Sequence, residues 1–597
     1  MTLAAAGASA PRSRFGNQLG GLIRPWKHML FVIALLVLAG ALIELLPPLL
    51  IRRIVDDHLV AGKTDGLLTL AFLYLGAITF GQGLSFGSGY LAATVAQRVL
   101  CDLRVRLFDH LQRLPAAYFD KTPLGDAISR CTADVETLDT LFTRGVATLI
   151  SNLFRLITIA AAMIILSPVL SLAAAVSLPP LVVLTRYFQV RIRDAEREGR
   201  KAVAEMNTHL QETLRGVEVI QAFKREATFV ARFRQVLQRV VHVGNRSTVY
   251  ASLYPPLTAL MTYSAIAFLL WAGTREAFAA FDISIGTLTA FALLLQRFFT
   301  PVTALGDEWH TVQGALSGAE RIFEVLSLPA DEPRSAAPGS KRDDGIRCED
   351  VVFGYALGAP ILHGITFTVT PGEHVALVGR TGAGKTSILH LLAGLYEPCR
   401  GTVRIAGRNP RALSEGEKRR VFGIVPQASH LFSGTVMENL TLKDSTIAAR
   451  AVFESAETTG ADAFIRCLPK GYDTVLRGAG GGPGLQLSAG QEQLLALTRA
   501  LVSQPSVLLF DEATSFVDSA TEAALHDALR STALNRGAAV LTVAHRLATA
   551  REAHRVLVID RGRIVEDGAP AELVARGGRF AALLDLEAAG WDWQAQA

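Results

Sequence analysis

Hydrocarbon is what most constrains this chain. Its first half holds six apolar runs, at residues 29–51, 67–96, 146–166, 169–187, 249–272 and from 285 past Pro301. About twenty apolar residues wound as a helix cross the ~30 Å core of a bilayer. A lone strand or loop there would leave its backbone polar groups without partners. The expected architecture is therefore an all-α, six-helix transmembrane domain. Composition agrees: the 597 residues are 50% hydrophobic and only 19% charged, and a soluble domain carries about 25%.

Residues 1–27 carry Arg12, Arg14, Arg24 and Lys27 and no acid, which by the positive-inside rule places this end in the cytoplasm. A cleaved signal peptide is the competing reading, but the run 29–51 is too long for a signal core. Six spans then leave both termini and the second half of the chain cytoplasmic, and a bacterial inner membrane is the expected location. Pro47 and Pro48 are expected to bend the outer part of the first span, where Glu44 is the one acid. An acidic outer turn follows around Asp56, Asp57 and Asp65. From 97 to 144 and from 191 to 246, apolar residues keep helical spacing among many charges. Both stretches read as long cytoplasmic helical hairpins, turning near 115–123 and 222–226. Arg155, Gln296 and Arg297 fall at membrane depth. Charge there either lines a substrate path or pairs with a neighbouring helix, and the sequence leaves both readings open.

The transmembrane domain is assigned to 1–328, a Pro- and Ser-containing linker to 329–344, and an α/β nucleotide-binding domain to 345–597. Within the last, Gly379-Arg380-Thr381-Gly382-Ala383-Gly384-Lys385-Thr386-Ser387 fits the phosphate-binding P-loop. A short apolar strand precedes it and a helix follows, which is the context the motif requires. Glycines let backbone N–H groups approach phosphate oxygens, and the helix N-terminus favours the anion. Lys385 is expected to reach the β/γ-phosphates of ATP, and the Thr386 hydroxyl to ligate Mg²⁺.

Other candidates are weaker alone and gain from the P-loop. Tyr355, at a strand end, could stack on adenine. Gln427 follows an apolar strand and could contact Mg²⁺ and the attacking water. Asp511 and Glu512 end the run Val507-Leu-Leu-Phe. Asp511 is expected to hold Mg²⁺, and Glu512 to polarise the attacking water. His545 ends another apolar strand and could contact the γ-phosphate. The five cysteines are scattered, without metal spacing, and the net charge of +5 comes with no dense basic stripe, so nucleic acid is not an expected partner.

The segment Leu487-Ser488-Ala489-Gly490-Gln491, some twenty residues before Asp511, resembles the LSGGQ signature of ATP-binding cassette (ABC) proteins. With Tyr355, the P-loop, Gln427, Asp511-Glu512, Asp518 in a D-loop position and His545, it covers the domain in the family's order. The membrane half resembles that of an ABC exporter. The resemblance implies an ATP hydrolase coupled to transport, with ATP and Mg²⁺ bound between two nucleotide domains. Leu487, Ser488, Ala489, Gly490 and Gln491 would then serve the partner subunit's ATP. The tips near 118–121 and 223–226 would be coupling helices, and inward- and outward-facing states would alternate. One nucleotide domain per chain makes this a half-transporter.

Three departures stand out. Ala489 replaces the usual Gly, Glu492 replaces a basic residue, and Arg477 to Gly484 lacks the usual Glu-Arg-Gly. An intact P-loop, Glu512 and His545 beside an off-pattern signature resembles one subunit of a heterodimer with unequal sites; a homodimeric lipid flippase is the alternative. A soluble ABC ATPase is argued against by the six spans. An importer is argued against by fusion of the two domains, and a peptidase-containing secretor by the lack of a preceding peptidase domain. The expected substrate is an amphiphilic drug, lipid or peptide in the bilayer.

Overall fold

The computed structural model describes residues 24–142, 147–273, 283–331, 345–356, 358–478, 480–511, 537–544 and 546–589, with the single positions 21, 527, 528, 530 and 531. Contacts divide the chain into two units, Met1–Gln112 with Leu124–Leu328 and Arg113–Pro123 with Pro329–Ala597.

In the first unit, six helices are long and apolar enough to cross a membrane. α1 (Lys27–Ile43) stops just before Glu44, and the chain restarts as α2 (Leu46–Arg53) with Pro47 and Pro48 in its first turn. A proline lacks the N–H that an interior position needs, but its fixed φ suits a helix start. The prolines thus interrupt the span rather than merely bend it. The helix then passes through Asp56 and Asp57 in a π-helical turn ending at Leu59, so the outer turn begins later than the sequence suggests. α3 (Leu67–Gln112) runs unbroken for 46 residues, about 69 Å, more than twice the hydrocarbon thickness. The chain leaves this unit at Arg113, and α4 (Ala116–Lys121) belongs to the second unit. The return leg is a series of short pieces, including a π-helical turn at Arg130–Asp134.

α5 (Ala147–Leu166) is the third span, and α6 (Pro168–Ala175) starts the fourth after the Ser167 N-cap. A second break follows before α7 (Leu178–Arg215), again with prolines in its first turn. The hairpin to α9 (Glu226–Gly273) turns through α8 (Val217–Ala222). The sixth span is α10 (Ile285–Leu326). Phe291, Leu294 and Leu295 on α10 form a dry centre with Leu170, Leu181 and Leu269. Outward faces are the reverse of a soluble protein: Phe72, Phe80, Phe86, Ile165 and Leu172 are all more than half exposed, as lipid-facing side chains must be.

The second unit has two main sheets. β1 (Ile346–Phe353), β2 (Leu362–Val369) and β4 (Arg400–Ile405) pair antiparallel in the order β2-β1-β4. The larger sheet uses β3 (His374–Gly379), β5 (Phe422–Val425), β8 (Val507–Asp511), β9 (Ala539–Val543), β10 (Arg555–Asp560) and β11 (Arg563–Gly568). Its order is β11-β10-β3-β9-β8-β5, parallel except for edge strand β11. β6 (Gly434–Thr435) and β7 (Val475–Leu476) form a small ribbon apart. β3, β8 and β9 are buried along their whole length, as expected where helices cover both faces of a parallel sheet. The carboxyl ends of β3 and β8 put Gly379 and Asp511 at one edge, where open α/β sheets bind ligands.

The first unit also shows how one carboxylate fixes a span. Asp56 accepts hydrogen bonds from Gly286 N at 2.7 Å and Ser284 Oγ at 2.6 Å, at the N-terminus of α10. An anion there satisfies an orphan N–H and meets the positive end of the helix. Asp56→Ala should lower stability by about 1 kcal/mol, read as a lower thermal midpoint in detergent. Asp56→Asn, which keeps an acceptor oxygen, should retain most of it.

Candidate nucleotide site

Gly379 ends β3 so close to β10 that a Cβ there would lie 2.2 Å from the Ile559 carbonyl oxygen. The turn that follows places Gly382 and Gly384 at φ +83° and +101°, in the left-handed region where a side chain adds strain. α11 (Lys385–Leu392) then begins at Lys385. This is a strand, a glycine turn and a helix N-terminus in unbroken sequence, with Ala383, Gly384 and Ser387 buried and Thr381, Gly382 and Thr386 exposed.

Lys385 is buried. Its ammonium donates to the carbonyl oxygens of Gly379 at 2.5 Å and Arg380 at 3.0 Å. Burial pushes its pKa down to about 8, and the charge of Asp511 pulls it back up. Asp511 is itself buried at the end of β8. Nε and Nη2 of Arg380 are buried with no hydrogen-bond acceptor among the described residues. A concave turn lined by N–H groups, a buried ammonium and idle guanidinium donors is chemically matched to a polyphosphate. The exposed Thr386 hydroxyl and the Asp511 carboxylate are hard oxygen donors of the kind Mg²⁺ takes.

Tyr355 lies beside this turn and is part of a cluster. Its ring meets Phe353 and Tyr396 edge-on, with centroids 5.0 and 5.1 Å away. Its hydroxyl is 3.2 Å from Ser387 Oγ and 3.0 Å from His390 Nδ1. His390 and Tyr396 were not singled out from sequence. Ser387 and His390 are three residues apart on α11 and so share one face, which is the signal that could have found His390. Tyr396 also hydrogen-bonds the Asp120 carboxylate on α4. Burial, with Asp120 second, raises its pKa.

Gln427 lies two positions past β5 and is exposed. Glu512, Asp518 and His545 lie outside the described residues. Leu487 is buried and Ser488 is the N-cap of α12 (Ala489–Leu501). Ser488 Oγ accepts from Gln491 N at 3.3 Å, and Gln491 Oε1 accepts from Ser488 N at 3.0 Å. This capping box fixes the helix start. Ala489 is the first helical residue, so its backbone is right-handed and a methyl is tolerated, and Gly490 follows in the same turn. Glu492 is in that first turn too. Burial raises its pKa and His430 opposes the rise. A cavity of 290 Å³ is lined by Glu492, Arg477, Gly478, Gly481 and Gln486. The departures at 492 and at 477–484 therefore belong to one place.

The two helices lie on opposite faces of the large sheet. Ile388 and Leu389 of α11 pack in one cluster with Val507 and Leu509 of β8. Leu494, Leu495 and Leu497 of α12 pack in another with Leu508 and Phe510. Strand side chains alternate faces, so the P-loop helix and the signature helix are separated by the sheet itself.

Comparison with known proteins agrees with this geometry. Residues 30–302 match the family profile of the ABC transporter transmembrane region, and 362–515 match that of ABC transporter. The chain is 32% identical to the probable multidrug resistance ABC transporter ATP-binding/permease protein YheH of Bacillus subtilis (strain 168), over 88% of this chain and 77% of that protein. It is 30% identical to the ATP-dependent lipid A-core flippase of Syntrophus aciditrophicus (strain SB), over 97% of this chain and 96% of the flippase. Its fold matches a bacterial Atm1-family ABC exporter with ATP bound, at a TM-score of 0.77 and 26% identity over 94% of this chain and 98% of the other.

The chain belongs to the ABC transporter family. It is of the exporter type, related to multidrug exporters and lipid flippases, and it couples ATP hydrolysis to transport.

If Lys385 meets the phosphates of ATP, binding should depend on pH. With its pKa held near 8, the lysine is largely neutral at pH 9 in the empty site, and a bound triphosphate favours the charged form. ATP binding at pH 9 should therefore take up a proton and weaken as pH rises above 8. Calorimetry in buffers of different ionisation heat measures both, and Lys385→Met should remove the proton uptake.

Proposed function

We propose that this chain is one half of a dimeric exporter, in which each ATP lies between the P-loop of one subunit and the signature of the other. The observation that carries this reading is the placement of α11 and α12 on opposite faces of one sheet. A signature helix behind the sheet is badly placed to reach its own chain's P-loop, whereas a second domain turned head to tail would bring one to it. Lys385 and the turn 379–387 bind the phosphates, Tyr355 packs on adenine, and Thr386, Asp511 and Gln427 hold Mg²⁺, which withdraws charge from the phosphates. Glu512 orients and polarises the attacking water, His545 contacts the γ-phosphate, and Asp518 takes the D-loop position. The signature residues 487–491 present a capped helix N-terminus to the partner's γ-phosphate.

The partner we propose is a different half-transporter. Glu492 sets a carboxylate in the first turn of that helix, where the family has a base, and its cavity is shaped by glycines at 478 and 481. A negative charge near a triphosphate weakens the site that this signature closes. The chain's own P-loop would then work with the partner's signature at the stronger site. Both termini lie in the cytoplasm and the protein sits in the inner membrane. ATP closure and hydrolysis alternate inward- and outward-facing states, moving an amphiphilic drug, lipid or peptide outward.

Expressed alone, the chain should hydrolyse ATP slowly. Co-expressed with its partner it should be stimulated at least tenfold, and Glu512→Gln should abolish both hydrolysis and movement of a fluorescent amphiphile into inverted vesicles. Rapid hydrolysis by the chain alone, lost in Glu512→Gln, would instead establish a working homodimer.

A further inference from the structure

The membrane unit holds a polar cavity of 190 Å³ among α1, α2, α3, α5 and α10, lined by Glu44, Gln82, Ser85, Ser151, Arg155 and Arg297. Small residues open it: Gly40, Ala41, Ala77 and Gly81 line the same space. Arg155 Nε lies 3.0 Å from Glu44 Oε2. Arg297 donates not to that carboxylate but to the backbone carbonyl of Glu44. The reason is local. In a helix the carbonyl of residue 44 would accept from the N–H of residue 48, and residue 48 is Pro. Arg297 satisfies the acceptor that Pro48 cannot.

This leaves an imbalance of charge. The runs 67–96, 147–166 and 285–302 contain no Asp or Glu, and Glu44 is the only acid in 29–51. The cavity thus has two guanidiniums for one carboxylate, at a depth where unpaired charge is costly. Guanidinium is also the cation whose fork of donors matches a carboxylate or phosphate. The volume is roughly that of six waters and smaller than the ~300 Å³ of a typical small-molecule pocket. It suits a headgroup and not a whole amphiphile, and Leu36, Val37 and Ile78 in its lining suit the start of a chain.

We propose that this cavity receives the carboxylate or phosphate headgroup of an anionic amphiphile, with Arg297 as its principal ligand, so that the exported molecules are anionic. The proposal rests on the export reading and deepens it. Arg155 remains engaged with Glu44, and Arg297 turns part of its fork from the carbonyl to the incoming anion. Glu44 sets the affinity by cancelling one of the two positive charges.

The test uses the full-length transporter with its partner subunit, in nanodiscs of zwitterionic lipid. Half-maximal stimulation of ATPase activity is measured with hexadecyl phosphate, hexadecylphosphocholine and hexadecyltrimethylammonium, which share one chain and differ in net headgroup charge. Hexadecyl phosphate should act at a concentration about tenfold lower than the other two, the size of one charge-assisted contact. Arg297→Gln should erase that preference, Arg297→Lys should keep part of it, and Glu44→Gln should enlarge it. Because the two neutralising variants act in opposite directions, a general loss of folding cannot mimic the pattern. Equal half-saturation for all three amphiphiles, or a preference unchanged in Arg297→Gln, would overturn the proposal while leaving export intact. Competition by inorganic phosphate at the same concentration would assign the cavity to a soluble anion and overturn the amphiphile. Failure of the transporter to move any of the three into inverted vesicles with ATP would be a failure of the export reading itself.

Discussion

A lysine folded into the protein with carbonyl oxygens around its ammonium is the interaction on which the nucleotide unit turns. Lys385 is held by the Gly379 and Arg380 carbonyls, and burial costs it part of its charge. Such a group is unfavourable unless an anion arrives. Everything near it serves to keep the place open. Gly379 permits the close approach of β3 to β10, the left-handed glycines shape the turn, and the fully buried strands fix the edge on which Asp511 stands. On the proposed reading, ATP would complete an electrostatic arrangement that burial of Lys385 leaves unfavourable.

The same incompleteness recurs at two larger scales. The sheet separates the helix after the P-loop from the helix that Ser488 caps, which is why we propose that the domain is half of a site. In the membrane unit, the break before Pro47 leaves the Glu44 carbonyl to accept from a distant arginine, Arg297. A chain that spans hydrocarbon must satisfy its backbone internally, and here a side chain from the sixth span does so for the first. The helix break and the Arg297 contact both follow from the proline placement.

Much of this was legible in the sequence because it rests on local periodicity. Apolar runs of fixed length gave the six spans, and glycine spacing before a helix gave the phosphate turn. Boundaries were less legible. The break in the fourth span, where Val176 and Ser177 precede Pro179 and Pro180, looked like continuous apolar sequence, because hydropathy does not register a missing N–H. The return leg of the first hairpin keeps helical spacing yet forms several short pieces, since side-chain periodicity says little about where the backbone ladder is interrupted. Contacts between distant residues were not legible at all. Arg297 meets Glu44 across 253 positions, and Tyr396 meets Asp120 across 276. The sequence left Arg155 open between a substrate path and an ion pair. The structure pairs it with Glu44 in the lining of a polar cavity.

The central claim is that the site around Lys385 is closed by another subunit. It is tested most directly by cross-linking in a background lacking the five native cysteines, with Thr381→Cys in the P-loop turn and Ser488→Cys before α12. Paired with a partner subunit that carries a cysteine in its own signature, the Thr381→Cys chain should give on oxidation an intersubunit disulfide that forms with ATP when Glu512→Gln is present and disappears without nucleotide. A disulfide formed within one chain carrying both substitutions, or an intersubunit band indifferent to ATP, would contradict the account.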